Sequence, residues 1–182
     1  METIFWSLAT TPWTRLLIAS SARGLVRVHF VSEAHGSEAV RKLAAAFPQE
    51  QLVESSEVNR QVTYELQAYA TGELKHFTVA LDLRGTPFQM EVWRALKEIS
   101  YGETRTYGEI ARATNRPKAY RAVGLANHSN PVAIIVPCHR VIGSDGRLVG
   151  YGGGLELKKT LIEHERRNSR QVFPSSSLPL WK

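Results

Sequence analysis

Hydrophobic residues change their spacing several times along this chain, and each change marks an element. Thr3–Ala9 and Leu16–Ser20 are apolar-rich runs, and Leu25–Val31 follows the turn residues Ser21-Ala22-Arg23-Gly24. That succession predicts strands joined as hairpins. Glu38–Phe47 predicts a helix that stops before Pro48, and Val58–Ala70 predicts another, ended by Thr71-Gly72. His76–Leu83 alternates, with Phe77, Val79, Leu81 and Leu83 on one face, which predicts a strand.

Arg84-Gly85-Thr86-Pro87 reads as a boundary, with Thr86 as N-cap and Pro87 at the first helical position. The helix Phe88–Ile99 follows, turning Phe88, Val92, Ala95, Leu96 and Ile99 inward. After the turn Tyr101-Gly102-Glu103, Thr106-Tyr107-Gly108-Glu109 forms a capping box that starts a short helix through Ala113. Asn115-Arg116-Pro117 reads as a second start signal, opening a helix from about Lys118 to Asn127. Two short helices joined by a tight turn form the helix-turn-helix pattern. The second helix carries small residues (Ala119, Ala122, Gly124, Ala126) around Arg121, with Arg116 and Lys118 at its start. Readers of base edges use Asn, Gln and Arg; small residues around one Arg suit close approach to a backbone or a narrow groove. A tightly packed core helix uses the same small residues.

The apolar, β-branched run Val132–Val136 predicts a buried strand that breaks at Pro137 and delivers Cys138, His139 and Arg140 at its end. Gly143-Ser144-Asp145-Gly146 makes a turn, Leu148–Tyr151 returns as a strand or extended segment, and Gly152-Gly153-Gly154 is free to lie against a ligand. Leu155–Arg167 predicts a helix with Leu157, Leu161 and Ile162 inward. The division is an N-terminal α/β domain over 1–85, a helical domain over 86–167, and a Ser/Pro-rich flexible tail over 168–182.

Cys138 is the only cysteine, so no internal disulfide and no cysteine-rich zinc site can form. A lone cysteine is commonly a buried packing residue. Here an imidazole and a guanidinium sit beside it, and such neighbours favour the thiolate, the nucleophilic form. His29, His35 and His76 have no metal-like spacing and read as structural. The N-terminus lacks a signal-peptide pattern, and no run approaches the ~20 apolar residues of a membrane span. These features lead to the expectation of a reduced, cytoplasmic protein with no membrane partner. Net charge is +6 and unevenly spread: residues 1–85 hold 8 Lys and Arg against 9 Asp and Glu, residues 86–182 hold 15 against 8. A basic half that contains the reactive cysteine points to a polyanionic partner, nucleic acid first.

With those residues in view, the chain resembles the O6-alkylguanine-DNA alkyltransferase family. Pro137–Val141 reads PCHRV, and RAVG at Arg121–Gly124, NP at Asn130-Pro131, TYGE at Thr106–Glu109, YGGG at Tyr151–Gly154 and HE at His164-Glu165 fall in the family's order and spacing. The resemblance covers about residues 86–167 and implies an α+β protein: a small ribonuclease H-like N-terminal domain and a helical, winged helix-turn-helix domain. It implies one-turnover transfer of an alkyl group from O6-alkylguanine, and also from O4-alkylthymine, in duplex DNA to the protein's own cysteine after base flipping. Cys138 is then the nucleophile. His139 takes its proton through a water, Glu165 orients His139, Asn130 braces the site and Tyr107 protonates the leaving base. Carbonyls of Cys138 and Val141 recognise the exocyclic amine, while Tyr151 and Gly152 bound the alkyl group. Arg121 fills the gap left by the flipped base, with Tyr120, Ala119, Gly108, Arg116 and Ser144 along the DNA. The partner is double-stranded DNA through its minor groove, bound by a monomer, with cooperativity along DNA left open.

Departures from the pattern matter. Gly152 stands where some relatives have a serine, which removes a hydroxyl from the pocket, and Tyr120 stands where some have a small residue. Some relatives hold zinc with N-terminal cysteines; this half has none, so no metal and no cofactor is expected. One cysteine alone also implies one turnover, since no second thiol can resolve a thioether. Two alternatives remain. One is a lesion-binding alkyltransferase-like protein that flags damage without alkyl transfer. The other is a cysteine hydrolase, against which neighbouring strand residues point to opposite faces.

Overall fold

The structure, a computed structural model, describes residues 1–31 and 36–169. Its N-terminal half is a mixed sheet in the order β3-β2-β1-β4, built from β1 (Thr3–Thr10), β2 (Arg15–Ser21), β3 (Gly24–Val31) and β4 (Gln51–Glu54). β1, β2 and β3 are antiparallel neighbours, and β4 lies parallel to β1. Helices α1 (Gly36–Ala46) and α2 (Arg60–Thr71) complete this half. β2 is buried on both faces, so its alternate residues enter separate cores. Leu17 and Ala19 pack with Leu43 and Phe47, while Leu16 and Ile18 pack with Leu66 and Tyr69. The sequence reading missed β4, because only Leu52 and Val53 separate the polar Gln51 from Glu54.

The C-terminal half holds α3 (Pro87–Lys97), α4 (Tyr107–Ala113), α5 (Tyr120–His128) and α6 (Leu155–Ser169). A short parallel pair joins β5 (Arg105–Thr106) to β6 (Val141–Ile142). The molecule is thus a mixed α/β sheet unit followed by a helical unit. The expected capping box at Thr106 forms, with Thr106 accepting from the Glu109 N–H at 3.2 Å, and the expected N-cap Thr86 accepts from the Gln89 N–H at 3.3 Å and proves to be a second capping box. The inward face read for α3 left out Trp93, which is fully buried and donates its indole N–H to the Ala126 carbonyl at 2.8 Å, tying α3 to α5.

Five local expectations are corrected. His76–Leu83 is extended but makes one bridge, Leu25 to Leu81. Its alternating side chains pack on the core, yet the β3 edge is divided: Leu25 pairs with Ala80 and Asp82, whereas Val28 pairs with Pro131 and Ala133. Val132–Val136 is buried but is not a strand. Ile134 has φ +72°, rare and costly for a β-branched residue, and the chain reverses there. Asn115-Arg116-Pro117 ends α4 instead of starting α5: Asn115 is left-handed at φ 56° and the Arg116 N–H returns to the Ala111 carbonyl. α5 begins later than expected, at Tyr120. Finally, α6 runs to Ser169, beyond Arg167, and the rest of the tail lies outside the described residues, as does His35. Among the described residues, no helix is long and apolar enough to cross a membrane.

The β3–linker contact depends on Gly24, whose φ is +145° and whose missing Cβ would lie 2.6 Å from the Ala80 carbonyl oxygen. Gly24→Ala is expected to destabilise the fold by ~1–3 kcal/mol in urea titration. Gly36→Ala, whose Cβ would meet only Leu8 at 3.9 Å, is expected to leave the midpoint close to wild type.

Candidate active site

The reversal at Ile134 feeds a single 3-10 turn, Cys138–Arg140, closed by the Arg140 N–H to the Pro137 carbonyl at 3.0 Å. In a 3-10 turn successive side chains fan out by about a third of a circle. Cys138, His139 and Arg140 therefore leave the backbone in three directions, which removes the opposite-face objection raised by a strand. Asn130 staples the preceding loop: its Nδ2 donates to the Val136 carbonyl at 2.8 Å and its Oδ1 accepts from the Val132 N–H at 3.1 Å.

His139 is fully buried, and its Nε2 lies 2.9 Å from Glu165 Oε1 on α6. The same carboxylate takes Arg140 Nε at 2.9 Å and Nη2 at 2.8 Å, the Tyr69 hydroxyl at 2.7 Å and the Gly102 N–H at 3.0 Å. Burial alone would raise the Glu165 pKa, but the hydrogen bonds and charges of His139 and Arg140 hold it far below the usual carboxylate range. Glu165 is thus ionised and can only accept. It follows that Nε2 of His139 carries the hydrogen. Burial also lowers the His139 pKa against the pull of Glu165, so the ring is neutral and its Nδ1 is bare. That Nδ1 is buried with no hydrogen-bond partner among the described residues. It is a base without a proton to hold.

Cys138 is nearly buried, and burial raises its pKa, while the Asn130 amide and the Lys158 charge pull it back. At rest it is a thiol that needs a base. Lys158 is fully buried, and its Nζ donates to the Val149 carbonyl at 2.6 Å; burial lowers its pKa to about 8. It pins the loop that carries Tyr151 and Gly152. The Tyr107 hydroxyl reaches the same Val149 carbonyl at 3.4 Å, and burial raises its pKa. The ring of Tyr151 lies 5.4 Å from Phe30, and its hydroxyl is buried without a partner among the described residues.

A cavity of about 810 Å³ opens onto this constellation. Of the sequence-predicted residues, Cys138, Asn130, Tyr107, Tyr151 and Gly152 line it, with Gly108, Tyr120 and Ser144. His139 and Glu165 are buried and do not line it. Others are not brought to it. Val141 is buried behind the turn and pairs with Arg105. Ala119 caps α5, and Arg121 stands exposed with its guanidinium 5.9 Å from the Tyr120 ring. Arg116 is ion-paired to Glu91 over the Phe88 ring and lines a different depression, beside α3.

Sequence reasoning missed Arg140 as a ligand of Glu165, and also Tyr69 and Lys158. Lys158 had a signal: it shares the inward stripe of α6 with Leu161, Ile162 and Glu165 at helical spacing. Tyr69 had none, because its partner is far along the chain. His29, read as structural, lines the cavity with Val28 and Phe30. Among the described residues, no cluster of His, Cys, Asp and Glu is placed to hold a metal ion.

Two family models match. "6-O-methylguanine DNA methyltransferase, ribonuclease-like domain" covers residues 4–83, and "6-O-methylguanine DNA methyltransferase, DNA binding domain" covers residues 87–167. The methylated-DNA--protein-cysteine methyltransferase of Methanosarcina acetivorans is 47% identical over 162 residues, 89% of this chain and 98% of that one. The crystal structure of Mycobacterium tuberculosis O6-methylguanine methyltransferase aligns with TM-score 0.79 at 41% identity, covering 91% of this chain and 94% of that chain. A structure of the Mycobacterium tuberculosis protein in complex with DNA aligns with TM-score 0.76 at 41% identity, over the same shares.

The Glu165 cluster makes stability pH-dependent with a fixed sign. A depressed carboxylate pKa contributes stability that is fully present above the ordinary value of about 4.3 and is lost as pH falls below it. The depressed His139 pKa acts in the same direction, beginning below about 6.5. Urea titrations are expected to show stability falling from pH 7 to pH 4. Glu165→Gln is expected to cost ~3–5 kcal/mol at pH 7, because it strands the Arg140 charge, and to remove the part of the acid decline that lies below about pH 4.3. A Glu165→Gln protein with wild-type stability and slope would contradict the cluster.

Proposed function

The chain belongs to the 6-O-methylguanine DNA methyltransferase family, and we propose that it repairs DNA by moving the alkyl group of O6-alkylguanine onto Cys138. The observation that carries this reading is the single thiol on a cavity wall, backed by a neutral imidazole whose hydrogen is committed to Glu165.

The chemistry runs in one direction. His139 Nδ1 accepts the Cys138 proton, through a bridging water. The thiolate attacks the alkyl carbon, an S–C bond forms as the C–O bond breaks, and the electron pair leaves with guanine. Tyr107 donates its hydroxyl proton to the departing ring, and proton transfer from the site restores it. The product is a thioether. Ordinary thiol exchange does not reverse a thioether, and the chain holds no second cysteine, so each molecule acts once. The Cys138 carbonyl accepts from the exocyclic amine; the Val141 side chain is buried behind the turn, so only its backbone carbonyl serves as the second acceptor. Tyr151 and Gly152 flank the alkyl group, and the open space at Gly152 favours tolerance of groups larger than methyl. O4-alkylthymine presents the same reacting carbon and is a second substrate.

An alkylated base in a stacked duplex hides its alkyl carbon, so the base is flipped into the cavity. The basic C-terminal half supports binding to the DNA backbone. α5 enters the minor groove, where its small residues allow close approach and Arg121 fills the gap left in the stack. Tyr120, Gly108 and Ser144 meet the strand at the cavity mouth, and Ala119 meets it outside the cavity, at the start of α5. Contacts of this kind go to phosphate and sugar, so sequence preference is weak. The protein acts as a monomer.

Intact-protein mass after incubation with a duplex holding one O6-methylguanine is expected to rise by one methyl, ~14 Da, saturating at one equivalent and absent in Cys138→Ser. Tyr107→Phe is expected to slow transfer by about 10²-fold while retaining the same final mass. Tight binding to the lesion with no mass change would replace this reading with damage sensing.

A further inference from the structure

The catalytic residues proposed above all lie in the helical half, yet one donor to Glu165 does not. Tyr69 belongs to α2, packed under the N-terminal sheet. It is fully buried, and its ring touches Phe77 at 5.3 Å, Tyr101 at 5.9 Å and Trp13 at 6.1 Å between centroids. Its hydroxyl ends 2.7 Å from Glu165 Oε1 and 3.5 Å from His139 Nε2. The backbone of α2 is fixed against α6 as well. The Tyr69 carbonyl accepts from His164 Nε2 at 2.7 Å, and Gly72 ends α2 in the left-handed region, where a Cβ would lie 2.7 Å from the Asn168 side chain. A tyrosine placed only for packing needs none of this.

We propose that Tyr69 is a positioning residue for the Glu165–His139 pair, through which the N-terminal unit sets the basicity and orientation of the catalytic imidazole. The inference rests on the reading of His139 as the base that activates Cys138. Oε1 accepts from His139, Tyr69 and Arg140 together, so the phenol draws electron density from the oxygen that steadies the imidazole. With the phenol hydrogen removed, Oε1 holds the His139 N–H more strongly, and the imidazolium form gains most. The other charged or titratable groups facing His139 are Glu165 and Lys158 from α6, Arg140 and Cys138 from the 3-10 turn, and Tyr151 from the preceding loop. None of these changes in Tyr69→Phe, which also keeps the ring contacts.

The test compares wild type, Tyr69→Phe and Asn168→Ala. Asn168 donates to the His164 carbonyl at 2.9 Å and braces the same α2–α6 contact without touching Glu165. Single-turnover methyl transfer is followed from pH 5.5 to 8.5, and the His139 ring is titrated by NMR. Tyr69→Phe is expected to reach the same final mass at a plateau rate roughly five-fold lower, with the acid limb and the His139 titration both moved up by roughly half a pH unit. Asn168→Ala is expected to lower Tm and leave both titrations in place. Superposable rates and titrations in Tyr69→Phe would overturn the proposal. So would slowing without any titration shift, matched by Asn168→Ala, since that is the signature of a structural role. Absence of transfer by wild type would instead fail the repair reading, and the His139 titration would still decide the effect of Tyr69.

Discussion

A buried carboxylate is the constraint on which the rest of this molecule depends. Glu165 gathers donors from α2, from the turn after α3 and from the 3-10 turn. Taking such a charge out of water costs several kcal/mol, and only a full set of hydrogen bonds offsets that. The fold must therefore bring these segments to one point, and in doing so it fixes the chemistry. An ionised Glu165 dictates which ring nitrogen of His139 is protonated, and the other nitrogen is left bare, able to act as a base.

The second constraint is the path of the chain into the site. Val132–Val136 has the composition of a strand, but Ile134 is forced into the left-handed region and the run folds back on itself. Strain of this kind persists where surroundings over-determine the backbone. Here Val28 of β3 holds one end through Pro131 and Ala133, and Asn130 staples the loop by its amide. The N-terminal sheet thus does more than fill space. Its edge strand positions the nucleophile's approach, His29 and Phe30 line the cavity, and α2 supplies the Tyr69 hydroxyl.

Much of the fold was legible because local rules were obeyed. Thr86, Thr106 and Gly72 mark helix ends by chemistry that does not depend on distant partners. The apolar runs of β1 to β3, separated by turn residues, state where the buried strands lie. What failed did so for tertiary reasons. His76–Leu83 alternates, yet its partner edge was already shared with the segment before Cys138. Asn115 looked like a helix start and proved to be a helix stop, since the same residue type serves both ends. In the site, the PCHRV string and its companions pointed to Cys138, His139 and Glu165, and geometry draws those three together. Arg116 was misleading, because its charge alone could not reveal Glu91 as its partner. Tyr69 was invisible, because nothing in the sequence links it to a carboxylate on the last helix.

Glu165 fixes His139 as a neutral imidazole with its hydrogen on Nε2 and Nδ1 free. The most direct measurement is the tautomer of His139 at pH 7, read from ring nitrogen shifts and couplings in ¹⁵N-labelled protein. A neutral ring protonated on Nε2 is the expected result. A ring protonated on Nδ1, or charged at that pH, would leave Cys138 without the base described here and would contradict it.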